Sequence, residues 1–304
     1  MTEWTRAEID FLRDNYLRFT DRELARILNR SPEVVHRKRL RMGLKKFYDG
    51  KRKEPEELSK WIVNNFMNEY RGEWRASGLG SYLIGLILAD GSLEDGRCKI
   101  WRNNVREDLE FLRPFIPTSK IYETTNKRYC LVVNSKFFVR TLVRYYNVPI
   151  GKKSDKIHVP EIFKEVSVKN LPKIGSFLRG FFDGDGTVIK SNQRKKIGIA
   201  FYSNSKEFLT EIKNILDKLG IHSLSVNDNK GKDRFSRKPG YVLKVINLFG
   251  VLSFYNLLYV IPRFCGRSDK IAYYPSVKKE FQKSLITFFR YRSKDEEFEV
   301  PVIF

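Results

Sequence analysis

A segment of eleven residues occurs twice in this chain, and this repeat constrains the fold more than any other feature of the sequence. The first copy, SYLIGLILADG, spans residues 81–91, and the second, SFLRGFFDGDG, spans residues 176–186. Strand-like segments follow each copy, at 98–102, 121–125 and 128–133 in the first unit and at 197–202, 222–226 and 241–246 in the second. The sequence Ser-Asp-Lys-Ile stands near the end of each unit, at 154–157 and 268–271. Matching landmarks in the same order indicate a duplicated unit. We therefore predict an α+β fold of two pseudo-symmetric repeats, each with the element order α-β-β-α-β-β-α.

Both copies carry two small residues four positions apart, which predicts a contact between two helices. These residues are Gly85 with Ala89 in the first copy and Gly180 with Gly184 in the second. Residues i and i+4 lie on one face of a helix, so each helix has a flat stripe on which another backbone can approach closely. Two helices that pack on these stripes bring their C-terminal ends together.

Each copy ends in Asp-Gly, so we predict that Asp90 and Asp185 lie side by side, each before a glycine in the left-handed conformation that often ends a helix. A carboxylate at a helix C-terminus opposes the helix dipole, and adjacent carboxylates repel each other. A divalent cation would offset both effects, and two-metal chemistry suits phosphodiester hydrolysis. The alternative is that both residues are ordinary polar residues at helix ends.

The three cysteines and three histidines are widely spaced, so the sequence has neither a disulfide framework nor a CxxC metal site. A metal would therefore be held by oxygen ligands. This favours Mg²⁺, or another hard divalent cation such as Mn²⁺, over zinc.

The two segments resemble the paired motifs of single-chain LAGLIDADG homing endonucleases, and with their repeats the resemblance covers about residues 76–290. It implies that Asp90 and Asp185 bind the metal ions, together with the main-chain carbonyls of Ala89 and Gly184. It also implies a saddle of two sheets over double-stranded DNA, and hydrolysis of both strands that leaves short 3′ overhangs. Arg179 replaces a usually small residue and is expected to face away from the helix interface.

The resemblance further implies one basic residue near the metal site in each repeat. The matching positions are Lys156 and Lys270, which would stabilise the phosphate or polarise the attacking water. Lys153 and Arg267 compete for these two assignments, and contact with a phosphate without a catalytic role is the alternative.

The charge of the chain indicates a polyanionic partner. There are 58 Lys and Arg against 36 Asp and Glu, a formal net charge of +22, and such a field attracts phosphate backbones. Lipid is the weaker candidate because the apolar run at 82–89 is too short to span a bilayer and the N-terminus lacks the pattern of a secretory signal. We expect double-stranded DNA as partner, no membrane, no obligate protein partner, a monomer, and an intracellular location in the cytoplasm or nucleoid, or an organelle.

Polar residues on the strands and in one long loop are the candidates for DNA contacts. Alternate residues of a strand share a face, and Asn and Arg side chains can read bases whereas most lysines add sequence-neutral affinity. The loop at 229–240 is very basic and would follow a groove, or is simply solvated. The candidates are Lys99, Arg102, Asn126, Arg128, Lys190, Asn192, Arg194, Lys196, Lys230, Lys232, Arg234, Arg237 and Lys238.

Residues 1–46 predict three short helices, the third begun by Ser31 as N-cap and Pro32 in its first turn. The pattern resembles the helix-turn-helix modules of the Myb-like group, in which the last helix enters the major groove. The alternative is a basic helix on a small protein-binding bundle. The DNA-binding candidates on the third helix are Arg37, Lys38, Arg39 and Arg41.

We divide the chain into a helix-turn-helix domain at 1–46, a linker at 47–75 that includes a helix around 58–70, a first repeat at 76–172, and a second repeat with a C-terminal helix at 173–304. A non-cleaving DNA-binding regulator or an RNA-splicing maturase on the same scaffold is the alternative to the endonuclease, although such relatives typically lose the acidic residues present here. Because no splice-junction residues flank the repeats and the chain begins at its own Met, we do not expect an excised intein.

Overall fold

The computed structural model describes residues 4–16, 21–42, 44, 55–70, 73–94, 96–103, 106–124, 128–151, 155–191, 196–228, 240–259 and 281–285. It shows a mixed α+β fold with two four-stranded antiparallel sheets. Within this part of the chain, no helix combines the length and the apolarity that crossing a membrane requires.

Three short helices form a small core of their own near the N-terminus: α1 (Arg6–Asn15), α2 (Asp21–Ile27) and α3 (Pro32–Arg41). Ser31 caps α3 as predicted, since its hydroxyl accepts a hydrogen bond of 3.3 Å from the backbone N–H of Val34. This satisfies one of the backbone donors that a helix start leaves open. The buried apolar residues of this core are Leu12, Leu24, Ala25 and Val35.

Helix α4 (Glu56–Phe66) belongs to the main core of the molecule, because Leu58, Ile62 and Phe66 are fully buried there. The helix is shorter than the one predicted around 58–70. It ends at Phe66 because the next residues form strand β1 (Asn68–Tyr70), which pairs antiparallel with β2 (Glu73–Arg75).

The first sheet and its helices have the order helix, two strands, helix, two strands, helix. The strands pair antiparallel in the spatial order β3-β4-β6-β5. The elements are α5 (Gly78–Asp90), β3 (Gly91–Glu94), β4 (Arg97–Asn103), α6 (Arg106–Leu112), β5 (Lys120–Glu123), β6 (Arg128–Asn134) and α7 (Lys136–Tyr146).

The second sheet follows the same order of elements, with strands in the spatial order β7-β8-β10-β9. One strand differs from prediction: residues 222–226 are not in a strand, and β9 covers only the next two residues, although the Leu224 N–H does donate to the Lys244 carbonyl at 2.8 Å. The elements are α8 (Leu171–Asp185), β7 (Gly186–Ser191), β8 (Lys196–Ser203), α9 (Lys206–Lys218), β9 (Asn227–Asp228), β10 (Tyr241–Val245) and α10 (Leu248–Tyr259).

Helices α5 and α8 lie at the centre and pack against each other. An unbroken run of nine residues of α5, from Gly80 to Leu88, is buried, and ten of α8, from Ile174 to Asp183, are buried as well. A helix that is buried all round carries apolar residues on every face, and the mainly apolar sequences of these two buried runs agree with their central position.

Candidate active site

The contact between α5 and α8 depends on the two glycines that the sequence pattern singled out. A Cβ atom on Gly85 would overlap the carbonyl oxygen of Phe177, and one on Gly180 would overlap the carbonyl oxygen of Tyr82. Both obstacles are backbone atoms, which cannot rotate away as a side chain can. The predicted close approach of two helix backbones is therefore confirmed at Gly85 and Gly180.

The close approach continues to the C-terminal ends of the two helices. A Cβ on Gly184 would meet the Cβ of Ala89 and would lie 3.2 Å from Asp90 Oδ2. Asp90 and Asp185 are the last residues of α5 and α8, and both are partly exposed. The end of each helix therefore contacts the end of the other, with a carboxylate on both.

The glycines that follow these carboxylates do not have the predicted left-handed conformation. Gly91 has φ −89° and ψ 164°, and Gly186 has φ −96° and ψ 159°, so both are extended. The reason is that each helix continues directly into a strand, β3 or β7. Glycine is needed here for space, because a Cβ on Gly91 would lie 2.6 Å from the carbonyl oxygen of Ile87.

Asp90 has a cationic partner on the neighbouring strand. Arg102 Nη1 lies 3.2 Å from Asp90 Oδ2, and Arg102 Nη2 lies 3.4 Å from Asp108 Oδ2. The Asp108 side chain is 4% exposed and that of Arg102 is 14% exposed. Arg102 was predicted to contact DNA, but its guanidinium bridges two carboxylates on the inner side of the sheet.

The opposite orientations of Lys99 and Arg102 follow from strand geometry. Successive side chains of a strand point to opposite faces, so Arg102 shares a face with the buried Cys98 and Ile100. Lys99 lies on the other face, where its ammonium is 2.5 Å from Glu94 and 5.9 Å from the ring of Trp101.

The outer face of the first sheet carries basic and aromatic residues that were not among the DNA-contact residues predicted from the sequence. Trp101 follows Lys99 by two positions, and the Arg128 guanidinium lies 5.5 Å from its ring. Tyr122, on β5 next to β6, is 47% exposed. Strand parity counted from the buried Cys98 was the signal that would have found this face. The residues added to it are Arg97, Trp101, Lys120 and Tyr122.

A buried polar cluster lies between α5, α8 and α10. The Tyr82 hydroxyl donates a hydrogen bond of 2.9 Å to Asp183 Oδ2, and the Tyr259 hydroxyl lies 3.5 Å from Asp183 Oδ1. Burial, and then the Asp183 carboxylate, hold the pKa of Tyr259 well above its usual value, so its hydroxyl stays protonated. The prediction that Arg179 faces away from the helix interface is wrong. Its guanidinium is buried 5.6 Å from the ring of Tyr82 on the other helix and 4.9 Å from that of Tyr259.

Lys156 is exposed and lines a cavity of about 460 Å³ on the first repeat. Arg13 and Tyr16 of the N-terminal helices contribute to the wall, together with His158 and Lys164. As far as the structure describes the chain, neither Asp90 nor Asp185 lines this cavity. The wall also includes Glu161, with which Lys164 forms an ion pair at 2.7 Å. The cavity thus lies between the N-terminal helices and residues that follow α7, and its charges are mixed.

Several predicted site residues lie outside the described residues. For Lys190 and Lys196 only the backbone is described, within β7 and β8. The others are Asn126, Asn192, Arg194, Lys230, Lys232, Arg234, Arg237, Lys238 and Lys270.

The basic residues of α3 divide into exposed and buried ones. Arg37 and Arg41 are exposed and Lys38 is half-buried, whereas Arg39 is only 3% exposed. Arg39 forms ion pairs with Asp21 at 3.1 and 3.2 Å and donates to the Leu44 carbonyl. Arg39 was predicted to contact DNA, but its guanidinium is instead used to hold α3 against α2.

A metal site at the helix ends would use few side chains. Among the residues that the structure describes, no group of three or more His, Cys, Asp and Glu side chains could hold a metal ion. The donors at this point are the carboxylates of Asp90 and Asp185 and the carbonyls of Ala89 and Gly184. All are oxygens, the donor type that Mg²⁺ and Mn²⁺ prefer.

A family model described as the LAGLIDADG-like domain matches residues 172–257. This range contains nearly all of α8, the second sheet and most of α10, and it includes Gly180, Gly184 and Asp185.

Two curated proteins of Thermococcus kodakarensis are similar to parts of the chain. One is described as a probable translation initiation factor IF-2 and is 28% identical over 184 residues, which are 57% of this chain and 15% of that protein. The other is described as an ATP-dependent DNA helicase and is 29% identical over 186 residues, which are 58% of this chain and 16% of that protein. The similarity thus covers about a sixth of the length of these relatives.

Among solved structures, the chain is similar to the homing endonuclease I-WcaI bound to its DNA recognition sequence, with 17% identity and a TM-score of 0.48 over 76% of this chain and 95% of that one. It is also similar to the LAGLIDADG meganuclease I-AabMI bound to uncleaved DNA, with 13% identity and a TM-score of 0.44 over 72% of this chain and 92% of that one.

Proposed function

We propose that this protein is a metal-dependent DNA endonuclease of the LAGLIDADG homing type, which hydrolyses both strands of a long double-stranded target and leaves short 3′ overhangs. The observation that carries the proposal is the contact between the ends of α5 and α8. The glycines of both helices pack on the partner backbone, and Asp90 lies against Gly184, the residue before Asp185. Two carboxylates brought together in this way repel each other, and a divalent cation that binds such a pair can promote hydrolysis of a phosphodiester.

In this proposal Asp90 and Asp185, with the carbonyls of Ala89 and Gly184, hold Mg²⁺ or Mn²⁺. The bound ions would supply Lewis-acid stabilisation of the phosphate and lower the pKa of the attacking water. The chain's own residues set the distance between the carboxylates through the glycine contacts of the two helices. Lys156 and Lys270 are proposed to stabilise the phosphate, and Lys153 and Arg267 are the competing assignments.

The duplex would lie across the outer faces of two pseudo-symmetric repeats, 76–172 and 173–304. On the first sheet this face presents Lys99 and Arg128 beside the ring of Trp101, a combination that suits a phosphate backbone. The net charge of +22 favours association with DNA at low salt. We propose that the protein acts as a monomer inside the cell, where its substrate is.

The N-terminal domain at 1–46 is proposed to be a helix-turn-helix module that lengthens the recognised site. Its exposed Arg37 and Arg41 would contact the backbone, while the buried Arg39 positions α3. Residues 47–75 connect this domain to the first repeat.

The similarity to the curated relatives covers only a small segment of each of them. Their names describe a translation factor and a helicase, and a segment similar to this chain makes up only 15% and 16% of them. We infer that the shared segment is a module of its own, compatible with a homing enzyme.

A non-cleaving DNA-binding regulator or a maturase is the second candidate, and one observation favours it. The ion pair of Arg102 with Asp90 already neutralises one of the two carboxylates. A binder that needs no metal would keep this pair permanently.

The experiment that decides between these functions begins with selection of a binding and cleavage site from a library of random double-stranded DNA. The selected target is then incubated with Mg²⁺ and with wild-type protein, Asp90→Asn or Asp185→Asn. We expect both variants to bind the target with near wild-type affinity and to lose double-strand cleavage. Asp228→Asn, on an exposed strand end, is the matched control and should cut normally. Selection of binding sites that the wild type never cuts would establish the second candidate instead.

A further inference from the structure

Arg102 places a positive charge beside Asp90, one of the residues proposed to bind a metal ion. It lies on β4, with one guanidinium nitrogen 3.2 Å from Asp90 and another 3.4 Å from the buried Asp108 of α6. The Asp108 carboxylate fixes one side of the guanidinium, so Arg102 is held against Asp90 by a residue of the protein interior.

A cation next to a metal ligand weakens the binding of a second cation. Two unit charges 4 Å apart interact by about 1 kcal/mol even in water, and a divalent ion doubles this repulsion. Arg102 is 14% exposed, so solvent screens the repulsion only in part. A divalent ion that binds Asp90 must therefore share the carboxylate with Arg102 or displace it.

We propose that Arg102 is the built-in counter-cation of Asp90, and that it sets the affinity of the proposed metal site by competing with the metal for this carboxylate. The inference rests on the metal site of the proposed function. Arg102 acts here as a positioning residue through Asp90, and it keeps the paired helix ends from repelling each other while no metal is bound.

The second sheet has a different residue, Ser203, at the position that corresponds to Arg102. Gly91 pairs with Ile100, and Gly186 pairs with Phe201, so Ser203 has the position on β8 that Arg102 has on β4. Six residues after Arg102 stands Asp108, whereas six residues after Ser203 stands the buried Leu209. The double variant Arg102→Ser/Asp108→Leu therefore gives β4 and α6 the residue types that stand at the same separation in β8 and α9, and it does not leave the Asp108 carboxylate buried without a cation.

The test measures Mn²⁺ binding to the full-length protein without DNA, by calorimetry and by the electron paramagnetic resonance signal of free Mn²⁺. We expect Arg102→Ser/Asp108→Leu to bind Mn²⁺ at least about tenfold more tightly than the wild type, because the competing charge is gone. Arg102→Lys keeps the charge and should remain close to wild-type affinity. Arg106→Ser removes an exposed arginine that pairs with Glu110, and it controls for the general effect of net charge.

Each outcome has a distinct meaning. Unchanged or weaker Mn²⁺ binding in the double variant overturns the inference, and so does an equal gain in Arg106→Ser. If Asp90→Asn abolishes Mn²⁺ binding while the double variant binds as the wild type does, the metal site stands and only the role of Arg102 fails. If Asp90→Asn and Asp185→Asn both leave Mn²⁺ binding unchanged, the proposed metal site itself is wrong.

Discussion

The hydroxyl of Tyr82 on α5 donates a buried hydrogen bond of 2.9 Å to the carboxylate of Asp183 on α8. The bond crosses the interface between the two central helices. In the two repeated segments, Tyr82 of α5 matches Phe177 of α8, and Asp183 of α8 matches Leu88 of α5. A polar pair on one side of the interface thus corresponds to two apolar residues on the other side. The hydrogen bond helps to fix the relative position of the helices that end in Asp90 and Asp185.

Tyr82→Phe should destabilise the protein because it removes one donor from a buried carboxylate. We expect a loss of about 1–3 kcal/mol in the free energy of unfolding, measured by chemical denaturation. The triple variant Tyr82→Phe/Arg179→Ile/Asp183→Leu copies the residues at the matching positions of the other repeat, and it should recover most of this loss, since buried charges can often be replaced by apolar residues. If the triple variant were less stable than Tyr82→Phe, the polar residues Arg179 and Asp183 would stabilise the fold more than the apolar residues that replace them.

Gly85→Ala and Gly180→Ala should each lower stability, because the added methyl group overlaps a backbone carbonyl of the partner helix. Overpacking of this kind costs about 1–3 kcal/mol, although alanine alone favours a helix over glycine. Asn64→Ala, on the exposed side of α4, is the control and should not lower stability, because alanine favours a helix over asparagine. Equal melting temperatures for the glycine variants and the wild type would contradict the packing described above.

Arg39 and Arg41 lie on one helix and should differ in what they affect. Arg39→Gln breaks the ion pairs with Asp21 and should destabilise the N-terminal domain by about 1–3 kcal/mol, seen in its thermal unfolding. Arg41→Gln, at an exposed position, should leave stability within about 0.5 kcal/mol of the wild type.

In DNA binding we expect the opposite order, with a larger effect of Arg41→Gln than of Arg39→Gln. If Arg41 contacts a phosphate, Arg41→Gln lowers the slope of log affinity against log salt by about 0.9. Footprinting of the full chain and of a protein that starts at residue 55 on the same target tests the domain as a whole. Identical footprints and salt slopes would show that the N-terminal domain does not touch this DNA.

Glu8 should make the stability of the N-terminal domain depend on pH in acid. Its carboxylate accepts from Arg30 at 2.8 and 3.0 Å and from the Thr5 backbone at 2.8 Å, and the hydrogen bond with Arg30, then that with Thr5, lower its pKa to about 2. Because folding lowers the pKa of Glu8, its carboxylate stabilises the folded state fully at pH values above its pKa in the unfolded chain, which is about 4.3. This stabilisation is lost as the pH falls from there through about 2.

The comparison of wild type with Glu8→Gln isolates this contribution. The difference in their melting temperatures should be constant near neutral pH and should shrink between pH 4 and pH 2. A difference that stays the same down to pH 2 would show that Glu8 does not stabilise the domain through its charge.

The sequence by itself determined the elements whose signals are local. The duplicated segment predicted two central helices in contact at Gly85 and Gly180, because small residues at i and i+4 leave space that only another backbone can use so closely. Ser31 before Pro32 predicted the start of α3, because a cap needs only the residues of its own turn. The strand-like segments located β4, β6, β8 and β10 within about one residue.

The tertiary structure decided where the charged side chains point. From the sequence, Arg39 and Arg102 were expected to contact DNA, and Arg179 was expected to face away from the helix interface. Each guanidinium is instead buried or nearly so against groups from another element. A charge can leave water only where a distant carboxylate or ring compensates for its lost hydration. Asp21, Asp108 and Tyr82 are such partners. Which of them reaches which arginine depends on strand parity and helix packing, and these are settled only when the elements come together.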